Sequence, residues 1–197
     1  RGINGYLFSS ITFDAGSSGE DVRVTSVKIR DTLDAAGSGD EVNSCVLYDG
    51  ATALNTGSDQ VNPSDPSGTT NDLTFTLTNN LIVPKGTLKN IDVKCNISSS
   101  AAANSTHALG LNDTTGTAVV GASTGQAITE TVTTGAGSVM TIKGAGSFSV
   151  AKDNSSPQAA YVLANKTDVP MTVFRYTATD EAVDIKEITL TYASGTA

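Results

Sequence analysis

A phrase near the start of this chain returns near its other end. Ile11, Phe13 and Ala15, followed by Glu20, Val22, Val24, Val27 and Ile29, are matched by Phe174, Tyr176 and Ala178, followed by Glu181, Val183, Ile185, Ile188 and Leu190. Both copies alternate apolar and polar residues, the period of a strand with one buried face. Both also slip by one residue at the same place, after Val24 and after Ile185. A strand whose apolar face falls out of step in this way must bulge, or cross from one sheet to another, to keep those residues inside. The spacing of the two glutamates is 181 − 20 = 161 residues, too long for a solenoid repeat and about right for one β-sandwich domain with its linker. The chain therefore reads as one repeat plus the opening of the next.

The rest of the chain agrees with an all-β fold. Ser and Thr together number 21 + 28 = 49 of 197 residues, Trp is absent, and no window keeps apolar residues at helical spacing for three turns. Strands are expected at 6–13 and 22–29, joined by the turn 16–19, then at 42–48, with a short return at 51–55. Further strands are expected at 73–77, 81–83, 88–97, 107–111, 118–121, 127–133 and 139–142. That series predicts a β-sandwich domain over residues 1–143. After Gly144 and Gly146 the chain restarts with strands at 147–151, 161–163 and 171–192, the first strands of a second, incomplete sandwich over 144–197. Each part lacks what the other has. The expectation is that a longer tandem chain, or a strand lent by a neighbouring subunit, completes each one. The lent strands would present Phe148, Val150, Tyr161 and Leu163.

Several phrases carry a resemblance. Val46 to Gly50, Leu73 to Leu77, Ile82 to Leu88 and Ile91 to Lys94, with the linking stretch Phe148 to Pro157 and then Phe174 to Glu181, resemble a repeat found in large secreted cell-surface proteins of environmental bacteria, especially little-cultured candidate phyla. The resemblance covers most of the chain and implies a tandem immunoglobulin-like envelope protein, of the kind that forms surface layers or extracellular fibres. A scaffold role follows from it, with no catalytic residue identified. The two cysteines and the half-domain depart from the pattern.

Those cysteines, Cys45 and Cys95, each share a face with core-like neighbours, and the reading has them meeting across the core. Either a disulfide, expected in an exported protein, or two reduced buried thiols fits the sequence. The only histidine, His107, reads as a surface or half-buried strand residue. No Gly-x-Ser-x-Gly elbow accompanies it, and the glycine pairs near 135 and 144 lack the helix and Lys-Ser of a phosphate loop, so no enzyme is expected. Acidic residues Glu20, Asp21, Asp31, Asp34, Asp40 and Glu41 either bind calcium from flexible loops or form solvated loop ends; no EF-hand spacing is present. No other cofactor is expected. Five sequons, at Asn96, Asn104, Asn112, Asn154 and Asn165, are glycosylation candidates, against about three expected by chance at this Ser/Thr content.

A net charge of −8 with scattered Lys and Arg argues against nucleic acid, and no apolar run is long enough to span a membrane. The expected role is a non-enzymatic subunit of an extracellular, cell-surface filament or layer, whose partners are copies of itself. The alternative is an adhesin or carbohydrate-binding module using the long 56–71 loop, though that loop holds none of the aromatics that stack on sugars.

Overall fold

The computed structural model describes residues 1–34, 37–66, 68–111, 117–133 and 135–191. The chain divides into two compact units, Arg1–Lys143 and Gly144–Ala197. Among the described residues every named strand pairs antiparallel and there is no α-helix, only two short 3-10 turns. Among these residues no helix is long and apolar enough to cross a membrane.

The first unit has two sheets. One contains β1 (Tyr6–Asp14), β6 (Leu88–Ile97), β3 (Val42–Asp49) and β4 (Thr52–Ala53), in that order across the sheet. The other contains β5 (Thr70–Val83), β2 (Val22–Leu33), β7 (Thr106–Gly110) and β9 (Met140–Thr141), with β8 (Ala118–Gly121) also on β2. The long strand β2 has β5 along one edge, while β8 and β7 divide the other, β8 beside Val22–Ser26 and β7 beside Arg30–Leu33. The two sheets supply one hydrophobic cluster, with Phe8, Ile91 and Val93 from the first and Val27, Phe75 and Leu81 from the second.

The phase slip in β2 is a bulge. On the β8 side, Val24 faces Val119 and Ser26 faces Ala118, so Thr25 is the extra residue. On the β5 side the same step spans Leu81 to Thr76. The two expected strands 73–77 and 81–83 are accordingly one strand with an irregularity between them. The bulge turns Val22 and Val24, then Val27 and Ile29, onto the same face, where none is more than 9% exposed.

Cys45 and Cys95 form a disulfide, but within one sheet rather than across the core. They lie on the neighbouring strands β3 and β6, with Cα atoms 4.0 Å apart. Pairing of β3 with β6 breaks between Asn43 and Val46, and Ser44 there has φ +49°. That local kink turns Cys45 towards its neighbour. Beyond it, the buried side chain of Asn55 accepts from the Leu47 amide (2.7 Å) and donates to the carbonyls of Cys45 (3.1 Å) and Asp59 (2.9 Å), holding the chain after β4.

The second unit contains β10 (Ser147–Lys152) paired with β11 (Phe174–Thr179). Three expected strands are corrected. Residues 127–133 contribute only a bridge from Ala127 to Val120. Tyr161 to Leu163 form no strand, in a segment bracketed by Pro157 and Pro170. The repeated phrase is a strand only over its first half, since no described segment pairs with residues 181–191 as β5, β7 and β8 pair with β2. Tyr192 lies outside the described residues.

Candidate functional site

In the second unit, β10 and β11 are in register with Phe148 opposite Ala178, Val150 opposite Tyr176 and Lys152 opposite Phe174. Alternation puts Phe148, Val150, Phe174 and Tyr176 on one face, and the Phe148 and Tyr176 rings stack at 6.1 Å with 19° between their planes. Together with Ile185, Ile188 and Leu190 they line a groove of about 520 Å³. These side chains are exposed by 37 to 69%. The counterparts of Phe174, Ile185, Ile188 and Leu190 in the first copy, Ile11, Val24, Val27 and Ile29, are core residues, and Phe13, the counterpart of Tyr176, is partly buried against that core. An apolar surface of this kind marks an interaction site more often than chance exposure does.

The hairpin is fastened at one end by polar contacts. Asp153 accepts hydrogen bonds from the amide and hydroxyl of Ser155 (2.8 and 2.7 Å) and from Arg175 Nε (2.8 Å), and its pKa falls to about 2 through the Ser155 bonds first and the Arg175 guanidinium after them. The Ser156 hydroxyl bridges the carbonyl and amide of Val173. Phe148 and Val150 line the groove, whereas Tyr161 and Leu163 lie on the irregular segment, exposed to solvent.

The first unit holds a second arrangement of polar groups. His107 on β7 is fully buried, which corrects the surface or half-buried position expected for it. Its Nδ1 is 2.9 Å from Asp31 Oδ2, and its Nε2 is 3.2 Å from Glu41 Oε2. Two carboxylates accept from both ring nitrogens, which requires the doubly protonated imidazolium. Burial pushes the His107 pKa down, but the bonds and charges of Asp31 and Glu41 outweigh it, and the pKa is raised above 6.5. Burial pushes the Glu41 pKa up, yet hydrogen bonds from Ser105, Ala102, His107 and Ser38 leave it lowered. The ring of Phe8 meets the imidazole edge to face at 6.5 Å.

The signal for this cluster was strand parity. His107 shares its face with buried Leu109, and Asp31 shares its face with Val27, Ile29 and Leu33. Glu41 is delivered by the 3-10 turn Gly39–Glu41, against which the 56–71 loop packs. A Cβ at Gly39 would sit 2.1 Å from the Ser64 carbonyl oxygen, and the Gly39 amide donates to Asp65 Oδ1 at 2.6 Å. That loop is further tied to β3 by the backbone pair Cys45 and Val61. The carboxylates lie on opposite sides of the ring, so the three groups do not converge on one point. The cluster is a clamp between β7, β2 and the turn.

The other acidic residues considered for calcium are engaged with the protein. Glu20 accepts from the amides of Ser123 and Thr124 and from the Thr124 hydroxyl, Asp21 accepts from the Lys85 amide, and Asp40 from the Ser38 hydroxyl. Asp34 also has a partner. Among the described residues no group of three or more His, Cys, Asp or Glu side chains is placed to hold a metal ion. Of the sequons, Asn104, Asn154 and Asn165 are exposed, Asn96 lies on β6 with its side-chain oxygen accepting from the Gly5 amide, and Asn112 lies outside the described residues. No protein family, curated protein or solved structure matches the chain.

Proposed function

We propose that this chain is a non-enzymatic structural subunit of an extracellular filament or surface layer, built from immunoglobulin-like β-sandwich units joined end to end through β-strand complementation or tandem repetition. One observation carries the reading. The first copy of the repeated phrase buries Val24, Val27 and Ile29 at 0, 1 and 0% exposure, while the second presents Ile185, Ile188 and Leu190 at 45, 55 and 69%. A sequence selected to be core, lying beside a stacked aromatic pair on an open hairpin, is an interface for strands of the same kind. The sharing of one core by two antiparallel sheets supports the sandwich, and a buried disulfide suits an oxidising exterior.

The test is a Phe148→Asp variant of the full chain, examined by electron microscopy and sedimentation alongside the parent. The variant is expected to lose assembly while the first unit keeps its unfolding transition. Normal polymers from it would overturn strand complementation through this face.

A further inference from the structure

The repeat assigns a second edge to β10. Aligned through the shared phrase, β11 is the counterpart of β1, with Phe174, Tyr176 and Ala178 matching Ile11, Phe13 and Ala15. In the second unit β11 carries β10 along one side. In the first unit β1 is the outermost strand of its sheet, paired only with β6 among the described residues. Its other edge is a row of backbone donors and acceptors with no described strand beside it, the kind of edge that accepts another chain. Phe13, between buried Ile11 and Ala15, is only partly buried against the core.

Resting on the proposed assembly, we infer that the open edge of β1 accepts β10 from a second copy of the chain, in the register that β10 adopts with β11. Carried across the repeat, that register sets Val150 opposite Phe13, Ala151 opposite Thr12 and Lys152 opposite Ile11, with Phe148 beside Ala15. Phe148 and Val150 then face the same side as Ile11 and Phe13 and extend the covered apolar surface. Four of the six β10 pairs, those of Ser149 to Lys152, fall on β1 in this register, while Ser147 and Phe148 pass beyond its end at Asp14. A strand given up by one copy and taken by another follows the low-cost logic of domain swapping.

Chain reach excludes β10 of the same molecule. The Lys143 carbonyl accepts from the Arg1 amino group at 3.4 Å, which puts Lys143 beside the beginning of the chain. The inferred register puts Ser147 past the far end of β1, next to Gly16. The nine residues of β1 span about 27 Å, and the four steps from Lys143 to Ser147 reach about 14 Å at most. A second copy is not so restricted.

The test mixes two full-length variants, Thr12→Cys and Ala151→Cys, under mild oxidation, with Thr12→Cys plus Ser149→Cys as the register control. Directly opposed residues lie within disulfide reach, and a two-residue offset does not. The expected result is a cross-linked heterodimer several-fold more abundant for 12 with 151 than for 12 with 149. Equal yields, or none, overturn the assignment of β1 as acceptor. Polymers of the parent chain without the 12–151 cross-link would remove this edge and leave the assembly reading intact. Absence of polymers together with that cross-link would remove the assembly reading and keep the edge.

Discussion

His107 Nδ1 lies 2.9 Å from Asp31 Oδ2, and both side chains have no solvent exposure. With Glu41 on the opposite ring nitrogen, a buried imidazolium joins two strands of one sheet to the turn before β3. Such a clamp makes stability depend on pH with a defined sign. The His107 pKa is raised on folding, so its contribution is fully present below the unfolded value near 6.5 and is lost as pH rises through the folded value. The Glu41 pKa is lowered, so its contribution is present above about 4.5 and is lost as pH falls through the folded value. The unfolding temperature is therefore expected to be highest in the mildly acidic range, above about 4.5 and below about 6.5, and to decline as pH rises from there through the folded His107 value. A His107→Leu variant measured over the same range should lack the alkaline decline. An unchanged profile would rule out His107 as its source.

Removing one member of the cluster strands the others. His107→Leu leaves the Asp31 carboxylate buried with neither of its oxygens partnered, since Oδ1 already has none. Breaking a buried pair in this way costs on the order of 3–5 kcal/mol. The double variant Asp31→Leu with His107→Leu, which removes the stranded charge, is expected to lose less than the two single variants combined. Urea unfolding of the four proteins measures the coupling, and strict additivity would deny it.

The fold was legible where local pattern and tertiary pairing agree. Leu88–Ile97 and Ala118–Gly121 are strands over the expected residues, and the slip after Val24 is a bulge that lets Val27 and Ile29 stay buried opposite Phe75 and Leu73 of β5. It was illegible where pairing decides against pattern. Val183 and Ile185 have the alternation of a strand and no pairing strand among the described residues, and Tyr161 to Leu163 are apolar with no strand beside them there. The disulfide pair was legible as a pair, but its place within one sheet depends on the kink at Ser44, which nothing in the residue types announces. The polarity of His107 points to the surface, whereas its parity with Leu109 points inward, and burial follows parity. Its carboxylates come from residues 76 and 66 positions away, beyond any local motif.

The disulfide closes a separation of 50 residues and both cysteines are fully buried. Chain entropy gives it a contribution of about 4 kcal/mol. A Cys45→Ala, Cys95→Ala variant should unfold at a correspondingly lower denaturant concentration. Because neither sulfur meets solvent, reduction of the native protein by a soluble thiol should proceed at the rate at which the first unit opens, and accelerate in denaturant. Rapid reduction under native conditions, at a rate independent of denaturant, would contradict the burial.

The two copies of the repeated phrase allow one substitution to be made in two environments. Val27 and Ile188 hold the same place in the phrase, yet Val27 is 1% exposed and Ile188 is 55% exposed. Val27→Asp puts a carboxylate among Phe75 and its neighbours with no partner, and a loss of more than about 3 kcal/mol, enough to unfold the first unit in part or whole, is expected. Ile188→Asp adds the same carboxylate to a groove open to water, so the unfolding transition of the first unit should stay where it is. If that groove receives strands from a neighbour, the Ile188 variant should fail to assemble, because the neighbour would have to bury the charge. Folding measured by calorimetry and assembly measured by sedimentation thus separate the two positions. Assembly that survives Ile188→Asp would mean that the exposed copy is not an interface, whatever its likeness to the buried one.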